Sequence, residues 1–376
     1  MKIAVFNRIF SKKAGGAERY SIALVEELAA QHEIHVFAQE INHSWPGVTY
    51  HHISAPLRRF RWLNQLWYAT ATWWATRSGF DIVHSHENTW HGNMQTVHVL
   101  PIKHNLFNGK TGWLRVLAWL KVVSSPRLLT YLALEKGRFS YQKYRQIIVT
   151  SPNLLTIFND TYPNNKNTMS VVTPGVSKAS LVFNKAAEKR VLGIPENCFT
   201  IAFIGNRYDI KGLVTLLLAM QQLPEDVHLL VVGNNNDIDR FQQQSKTLKI
   251  SHRVYFLGAI DEVSKIYQAA DCLAHPTLED TFAMVVLEAM SYGLPVVVSQ
   301  EKYCGIAGLL SDQVNALILN DPKNAALLSQ KLLSILIDVS LRNKLSSEAA
   351  AFAADYSWPH IAQQQERIYL NALLSK

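Results

Sequence analysis

Apolar and polar positions follow the same order twice along this chain. Lys2 to Ile9 reads as a buried strand, Ala17 to Gln31 follows as a helix with Ile22, Val25 and Ala29 at helical spacing, and Ile34 to Ala38 is strand-like again. The second half restarts in the same way, with a strand over Phe199 to Ile204, a helix over Leu213 to Gln222 and a strand over Val227 to Val232 that ends at Gly233. Two β-loop-α-β beginnings in one chain predict two parallel-sheet domains rather than one long sheet. Short strands are expected at Val254 to Leu257, Cys272 to His275 and Val296 to Ser299, alternating with helices. A boundary falls near Thr173-Pro174-Gly175, where Pro and Gly interrupt the strand-like Met169 to Val172. The expected division is 1–172, 173–355 and a terminal segment 356–376, whose helix over Pro359 to Leu374 crosses back onto the first domain. Open parallel sheets bind ligands beyond the carboxyl ends of their strands, so a cleft between the two domains is the expected site.

Composition narrows the class. With 376 residues, 48% hydrophobic and 18% charged, the chain is long enough for two ordinary domains and carries no polar bias of the disordered kind. Cys198, Cys272 and Cys304 lie far apart with no metal-ligand spacing, which argues against a disulfide framework or a zinc site and for a reducing cytoplasm. The opening MKIAVFNRIF has neither the longer apolar core nor the cleavage site of a secretory signal, and no run of about 18 apolar residues could span a bilayer. A net charge of +8 and a pI near 9.2 draw anions, whether phosphorylated substrate, anionic lipid or nucleic acid. No nucleic-acid recognition motif or single basic stripe accompanies that charge, so nucleic acid is not an expected partner.

Four groups of residues carry candidate chemistry. The first runs His275-Pro276-Thr277-Leu278-Glu279-Asp280-Thr281-Phe282-Ala283-Met284 and on through Glu288 to Gly293-Leu294-Pro295-Val296-Val297. It reads as strand, loop, helix with Asp280 or Thr281 near its N-cap, Gly terminator and second strand. The start of that helix, with Thr281, Phe282 and Ala283, offers backbone N–H groups and a positive dipole end to a diphosphate. Glu288, about two turns further on, faces roughly the same side and could accept hydrogen bonds from ribose hydroxyls, while Glu279 or Asp280 meets the sugar.

This segment resembles the E-x7-E acidic pair of glycosyltransferase family 4, a retaining family of GT-B fold, with Asp280 and Glu288 as the pair, Glu279 just before it, and Ala283 where many members have Gly. The resemblance implies transfer of a hexose from a nucleotide diphosphate donor to a glycan or glycolipid acceptor, with the leaving diphosphate helping to deprotonate the acceptor on the same face of the sugar. No metal or other cofactor is implied.

The second group is Gly205-Asn206-Arg207-Tyr208-Asp209-Ile210-Lys211-Gly212, similar to the family's G-x5-K-G loop. Lys211 and Arg207 would stabilise the charge of the departing nucleoside diphosphate without a metal. Third, Gly15 and Gly16 with Glu18 and Arg19 behind them are similar to the family's acceptor-side loop; they form neither a GxGxxG fingerprint nor a P-loop. Fourth, two strands end near His86 and His98, and the resemblance places His98 by the donor sugar's hydroxyls. Similarity in size and terminal motifs to the glucosyltransferases of the lipopolysaccharide core makes UDP-glucose the first donor to consider. Two other enzyme types of this fold, nucleotide-sugar epimerases and sugar phosphorylases, and, from another class, a basic nucleic-acid-binding protein, are the competing readings.

Around the first domain, Arg58, Arg59 and Arg61 precede Trp62, Trp67, Trp73 and Trp74, and Trp113 begins a second stretch with Arg115, Val116, Leu117, Leu120 and Lys121. Basic, tryptophan-bearing helices suit the interface of an anionic membrane at the inner face of the cytoplasmic membrane. The same aromatics could instead pack in the N-terminal core.

Overall fold

The computed structural model describes residues 1–12, 14–179, 183–233, 236 and 238–374. It divides into two compact units, Met1–Pro174 together with Trp358–Lys376, and Gly175–Ser357.

In the first unit the strands are β1 (Lys2–Phe6), β2 (Ile9–Phe10), β3 (Glu33–Ala38), β4 (Glu40–Ile41), β5 (Val48–His52), β6 (Ile82–Ser85), β7 (Met94–Val97), β8 (Gln146–Val149) and β9 (Thr168–Val171). Among the described residues, seven of them form a parallel sheet in the order β5-β3-β1-β6-β7-β8-β9, and β2 pairs with β4. The strand expected to reach Ile9 stops at Phe6. Asn7 is a buried polar residue whose side-chain amide turns to Ser21 Oγ on the following helix, and Ile9–Phe10 then pairs with Glu40–Ile41 instead of continuing the ladder.

The second unit has β10 (Phe199–Ile204), β11 (Val227–Val232), β12 (Val254–Gly258), β13 (Cys272–His275), β14 (Val296–Ser299) and β15 (Leu317–Leu319), all parallel in the order β12-β11-β10-β13-β14-β15. Successive strand residues point to opposite faces, and both faces are covered. Ala202, Ile204, Leu230 and Val232 pack with Val286, Leu287 and Met290 of the helix Met284–Ser291. Ile201, Phe203, Leu229 and Val231 pack with Leu213, Leu216 and Leu217 of the helix Leu213–Met220.

In each sheet the first strand, β1 or β10, lies inside, with its successors laid down on one side and then the other. That reversal leaves a crevice at the carboxyl ends of β1 and β6, and another at β10 and β13, where loops can converge on a ligand.

The last helix, Trp358–Leu374, belongs to the first unit and packs on the helix Gly16–Leu28. Tyr369 is fully buried there, its hydroxyl 2.6 Å from His84 Nδ1 at the end of β6. Trp358 stacks edge-on against Tyr20. Among the described residues no helix is long and apolar enough to cross a membrane.

Candidate active site

The loops after β10 and β13 meet at the second unit's crevice because glycine lets their backbones touch. Gly212 has φ +82°, and a Cβ there would lie 1.9 Å from the carbonyl oxygen of Pro276. Leu278 N donates to Ile210 O at 2.7 Å, and Thr277 Oγ1 donates to the same carbonyl at 3.1 Å. Gly205 clears the path of the Lys211 stem, whose Cγ would otherwise meet a Cβ at 2.8 Å.

Lys211 is thereby carried to Asp280. Its Nζ lies 2.5 Å from Asp280 Oδ2 and 3.1 Å from the carbonyl oxygen of Glu279. His275 Nε2 lies 3.3 Å from the same Oδ2. Burial by itself would raise the Asp280 carboxyl, but the His275 hydrogen bond and the Lys211 charge outweigh it and hold the group well below the usual carboxylate range. Burial pushes the His275 imidazole down despite the facing carboxylate. A neutral His275 protonated on Nε2 therefore donates to Asp280, and its buried Nδ1 has no partner among the described residues. Lys211 has three N–H donors, of which two are directed at Asp280 and Glu279, leaving one to meet a ligand oxygen.

The helix expected to be capped by Asp280 or Thr281 begins later. Its N-cap is Ala283, at φ +73°, and its first residue is Met284. Asp280 instead closes the preceding turn, its Oδ1 accepting from Ala283 N at 2.8 Å and Phe282 N at 3.2 Å. Those two amides, expected to face a diphosphate, are thus taken by the chain's own carboxylate, and the Phe282 and Ala283 side chains are buried in the core. The amides of the first true helical turn, from Met284 onward, remain as the positive end of the helix. A left-handed alanine costs roughly 1–2 kcal/mol relative to the ordinary helical region, so glycine is the residue this backbone would accept most easily.

Asp280 rather than Glu279 supplies the carboxylate of this cluster; Glu279 is exposed and contributes its carbonyl oxygen. Thr281 lies half-buried on the turn between Asp280 and Phe282. Glu288 stands one turn into the helix instead of two, half-buried, with its Oε2 accepting from the Tyr267 hydroxyl at 2.8 Å. Tyr267 is in turn stacked on Tyr292. Arg207 is exposed, and its backbone carbonyl accepts from Lys211 N at 2.9 Å.

At the first unit's crevice, Gly15 and Gly16 open the helix Gly16–Leu28, and a Cβ on Gly15 would lie 2.8 Å from Glu18 Oε2. Burial raises the Glu18 carboxyl, a backbone hydrogen bond lowers it, and Glu87 raises it further. His98 follows β7, with its Nε2 2.9 Å from His86 Nδ1 and its ring 5.0 Å from that of Tyr20. Burial, with the positive charge of Arg138, lowers His98 to about 3, so it is a neutral hydrogen-bonding group at ordinary pH. His84 is lowered to about 3 for the same first reason and contacts Thr96 Oγ1 at 2.6 Å.

Sequence reasoning singled out neither His275 as the partner of Asp280 nor Tyr267 as the support of Glu288. It also missed the buried Arg138, which donates to Gln95 Oε1 at 2.9 Å and to the Thr96 carbonyl at 2.5 Å. The histidine was at least visible, since it ends an apolar strand five residues before the acidic residue.

The basic and aromatic stretches separate. Trp113 is 70% exposed on the helix Gly112–Val123, alongside exposed Val116, Leu117 and Leu120, and Trp67, Trp73 and Trp74 are also exposed on Arg61–Thr76. They are therefore not core. Trp62 is half-buried, Arg58 pairs with Glu40 at 2.6 Å, and Arg58 and Arg61 line a polar cavity, whereas Arg59 is an exposed neighbour.

Comparison with known proteins fits this architecture. Residues 14–179 match the family model described as Glycosyltransferase Family 4, and residues 184–352 match that described as Glycosyl transferases group 1. Two Rossmann-like parallel-sheet units with these matches define the GT-B class. A Glycosyltransferase Family 4 domain and a Glycosyl transferases group 1 domain thus follow one another along the chain. It is 26% identical over 243 residues to a D-inositol 3-phosphate glycosyltransferase of Corynebacterium diphtheriae, covering 61% of this chain and 56% of that one. To the lipopolysaccharide glucosyltransferase WaaG of Escherichia coli it is 24% identical over 238 residues, covering 61% and 63%. The chain thus spans a little over half the length of these curated relatives. A crystal structure of WaaG has the same fold, with a TM-score of 0.82 at 20% identity over 97% of this chain and 99% of that one. Anabaena HepE, solved with UDP-glucose, has a TM-score of 0.76 at 18% identity over 98% of each chain.

Proposed function

We propose that the protein is a retaining glycosyltransferase that moves a hexose from a nucleotide diphosphate donor, UDP-glucose first, to a glycan or glycolipid acceptor in cell-envelope lipopolysaccharide synthesis. The observation that carries this reading is the Lys211–Asp280–His275 cluster at the crevice of the second unit, beside a helix start. In the transfer, the bond from C1 of the sugar to the diphosphate breaks and the acceptor oxygen bonds to C1 on the same face. The acceptor's proton passes to the departing diphosphate. Lys211, with Arg207 nearby, stabilises the charge that builds on the leaving group, so no metal is required. Asp280, held ionised, fixes the Lys211 ammonium at the crevice, and Glu288, oriented by Tyr267, accepts from the ribose. The choice of donor and pathway is supported by the likeness to a protein named lipopolysaccharide glucosyltransferase and to a fold neighbour solved with UDP-glucose.

Titration of UDP into Glu288→Gln is expected to show affinity reduced by about tenfold, since a charge-assisted hydrogen bond is lost while shape is kept. Turnover of UDP-glucose by the unaltered protein should persist in EDTA. Equal UDP affinity in the variant would remove Glu288 from the site, and turnover restored only by Mg²⁺ or Mn²⁺ would overturn the metal-free chemistry.

An anionic membrane surface is the proposed setting, with the exposed face of Gly112–Val123 as the contact and Arg115 and Lys121 beside it. Trp113→Ser with Leu117→Ser is expected to lose most co-sedimentation with phosphatidylglycerol vesicles. Pelleting equal to that of the unaltered protein would make this helix an exposed face with another purpose.

A further inference from the structure

A polar cavity of about 570 Å³ opens at the carboxyl edge of the first unit's sheet, lined by Arg8, Gln39, Glu40, Arg58, Arg61 and Tyr131 among others. Its parts come from separate places in the chain. Arg8 follows β1, Gln39 and Glu40 follow β3, and Arg61 opens the helix Arg61–Thr76. Gln39 and Asn64 form a rigid floor: both are buried, and their side-chain amides bond reciprocally at 3.0 and 2.8 Å.

Three features give the cavity a positive field. Three guanidinium groups face one carboxylate, Glu40, which Arg58 already pairs at 2.6 Å. The 16-residue helix starting at Arg61 has no side-chain cap and no acid in its first turn, so its positive end is uncompensated where Arg61 and Asn64 line the cavity. Arg8 Nε is buried without a hydrogen-bond partner among the described residues, a donor that folding alone leaves unsatisfied. Glu18 is close enough to feel the Arg8 charge and Glu87 accepts from Arg8 N, but neither lines the cavity.

We propose that this cavity binds an anionic group, phosphate or carboxylate, carried by the sugar acceptor, and that the protein therefore selects acceptors by charge. The proposal rests on the glycosyltransferase reading and names its acceptor class. Arginine suits the task, since its planar fork matches both oxyanions and stays charged. The same geometry takes Arg58 and Arg61 away from a membrane-facing role: they close a concave site, while the exposed tryptophans lie on helix faces.

The test uses the full chain saturated with UDP, so that Lys211 is occupied and added anions report on the first unit. Glucose 6-phosphate, glucuronate and glucose are titrated separately, with inorganic phosphate as the free-anion control. One anionic sugar is expected to bind at least tenfold more tightly than glucose and than inorganic phosphate, and which one it is distinguishes phosphate from carboxylate. Arg61→Gln, at an exposed position, and Arg8→Gln should each weaken that binding about tenfold or more while leaving UDP affinity unchanged. The proposal is overturned if glucose binds equally well, if phosphate alone does, if both variants keep full affinity, or if no anionic sugar binds at millimolar concentration. Failure of UDP itself to bind the unaltered protein would strike the glycosyltransferase reading instead, and the Arg8 and Arg61 variants then decide whether any anion binding belongs to this cavity.

Discussion

Lys211→Ala is expected to lower turnover by about 10²–10³-fold, the loss typical when one preorganised partner of a developing anion is removed. The geometry argues against a milder outcome. Gly205 and Gly212 bring this one ammonium to the crevice, and the cation nearest in sequence, Arg207, is exposed. The variant also leaves Asp280 with only His275 and the two turn amides to stabilise its charge, so its carboxyl should rise toward the ordinary range. Steady-state kinetics with UDP-glucose check the first expectation, and the KM for donor should rise less than kcat falls. A variant with kcat within a few-fold of the unaltered enzyme would show that Lys211 is a structural partner of Asp280 and nothing more.

The second large effect is on stability and is concentrated in the first unit. His84 and His98 are lowered to about 3 and His91 to about 4, each chiefly by burial, and His86 is lowered as well. An unfolded histidine takes up its proton near pH 6.5, whereas these folded ones refuse it until far lower pH. The unfolded chain therefore binds more protons throughout that window, and stability must fall as pH drops below 6.5. At pH 5 the loss is about 2 kcal/mol for each fully buried imidazole, before allowance for coupling among them. All nine tryptophans lie in the first unit and none in the second, so tryptophan fluorescence reads this unit alone. Its thermal midpoint should fall steeply between pH 7 and pH 5, with proton uptake on unfolding at the lower pH. A midpoint that stays constant over that range would mean the cluster is already protonated when folded.

Both predictions draw on features that differ in how far the sequence disclosed them. Phe199–Ile204, Val227–Val232, Cys272–His275 and Val296–Ser299 have the bounds expected from sequence, because strands buried on both faces are unbroken apolar runs. The Lys211 loop was equally plain, being a short string of glycines and cations between a strand and a helix. The start of the helix at Met284 was not, since it depends on a left-handed alanine that no periodicity records. Contacts between distant segments were also out of reach: His84 meets Tyr369 across 285 residues of chain. The arginine cavity shows the same limit. Arg58 and Arg61 looked like part of a basic run with Arg59, and only the fold sets two of the three beside Arg8.

The way the chain leaves and re-enters its first unit has a consequence for synthesis. The second unit is one continuous stretch, 175–357, nested within a first unit that is closed by residues 358–374. Tyr20 and His84 wait for Trp358 and Tyr369 to complete their surroundings. On the ribosome, residues 175–357 all emerge before those two, so the domain encoded later has its full complement of contacts first. Until the final helix is made, His84 lacks the Tyr369 hydroxyl and Tyr20 lacks the Trp358 ring that cover them in the native first unit.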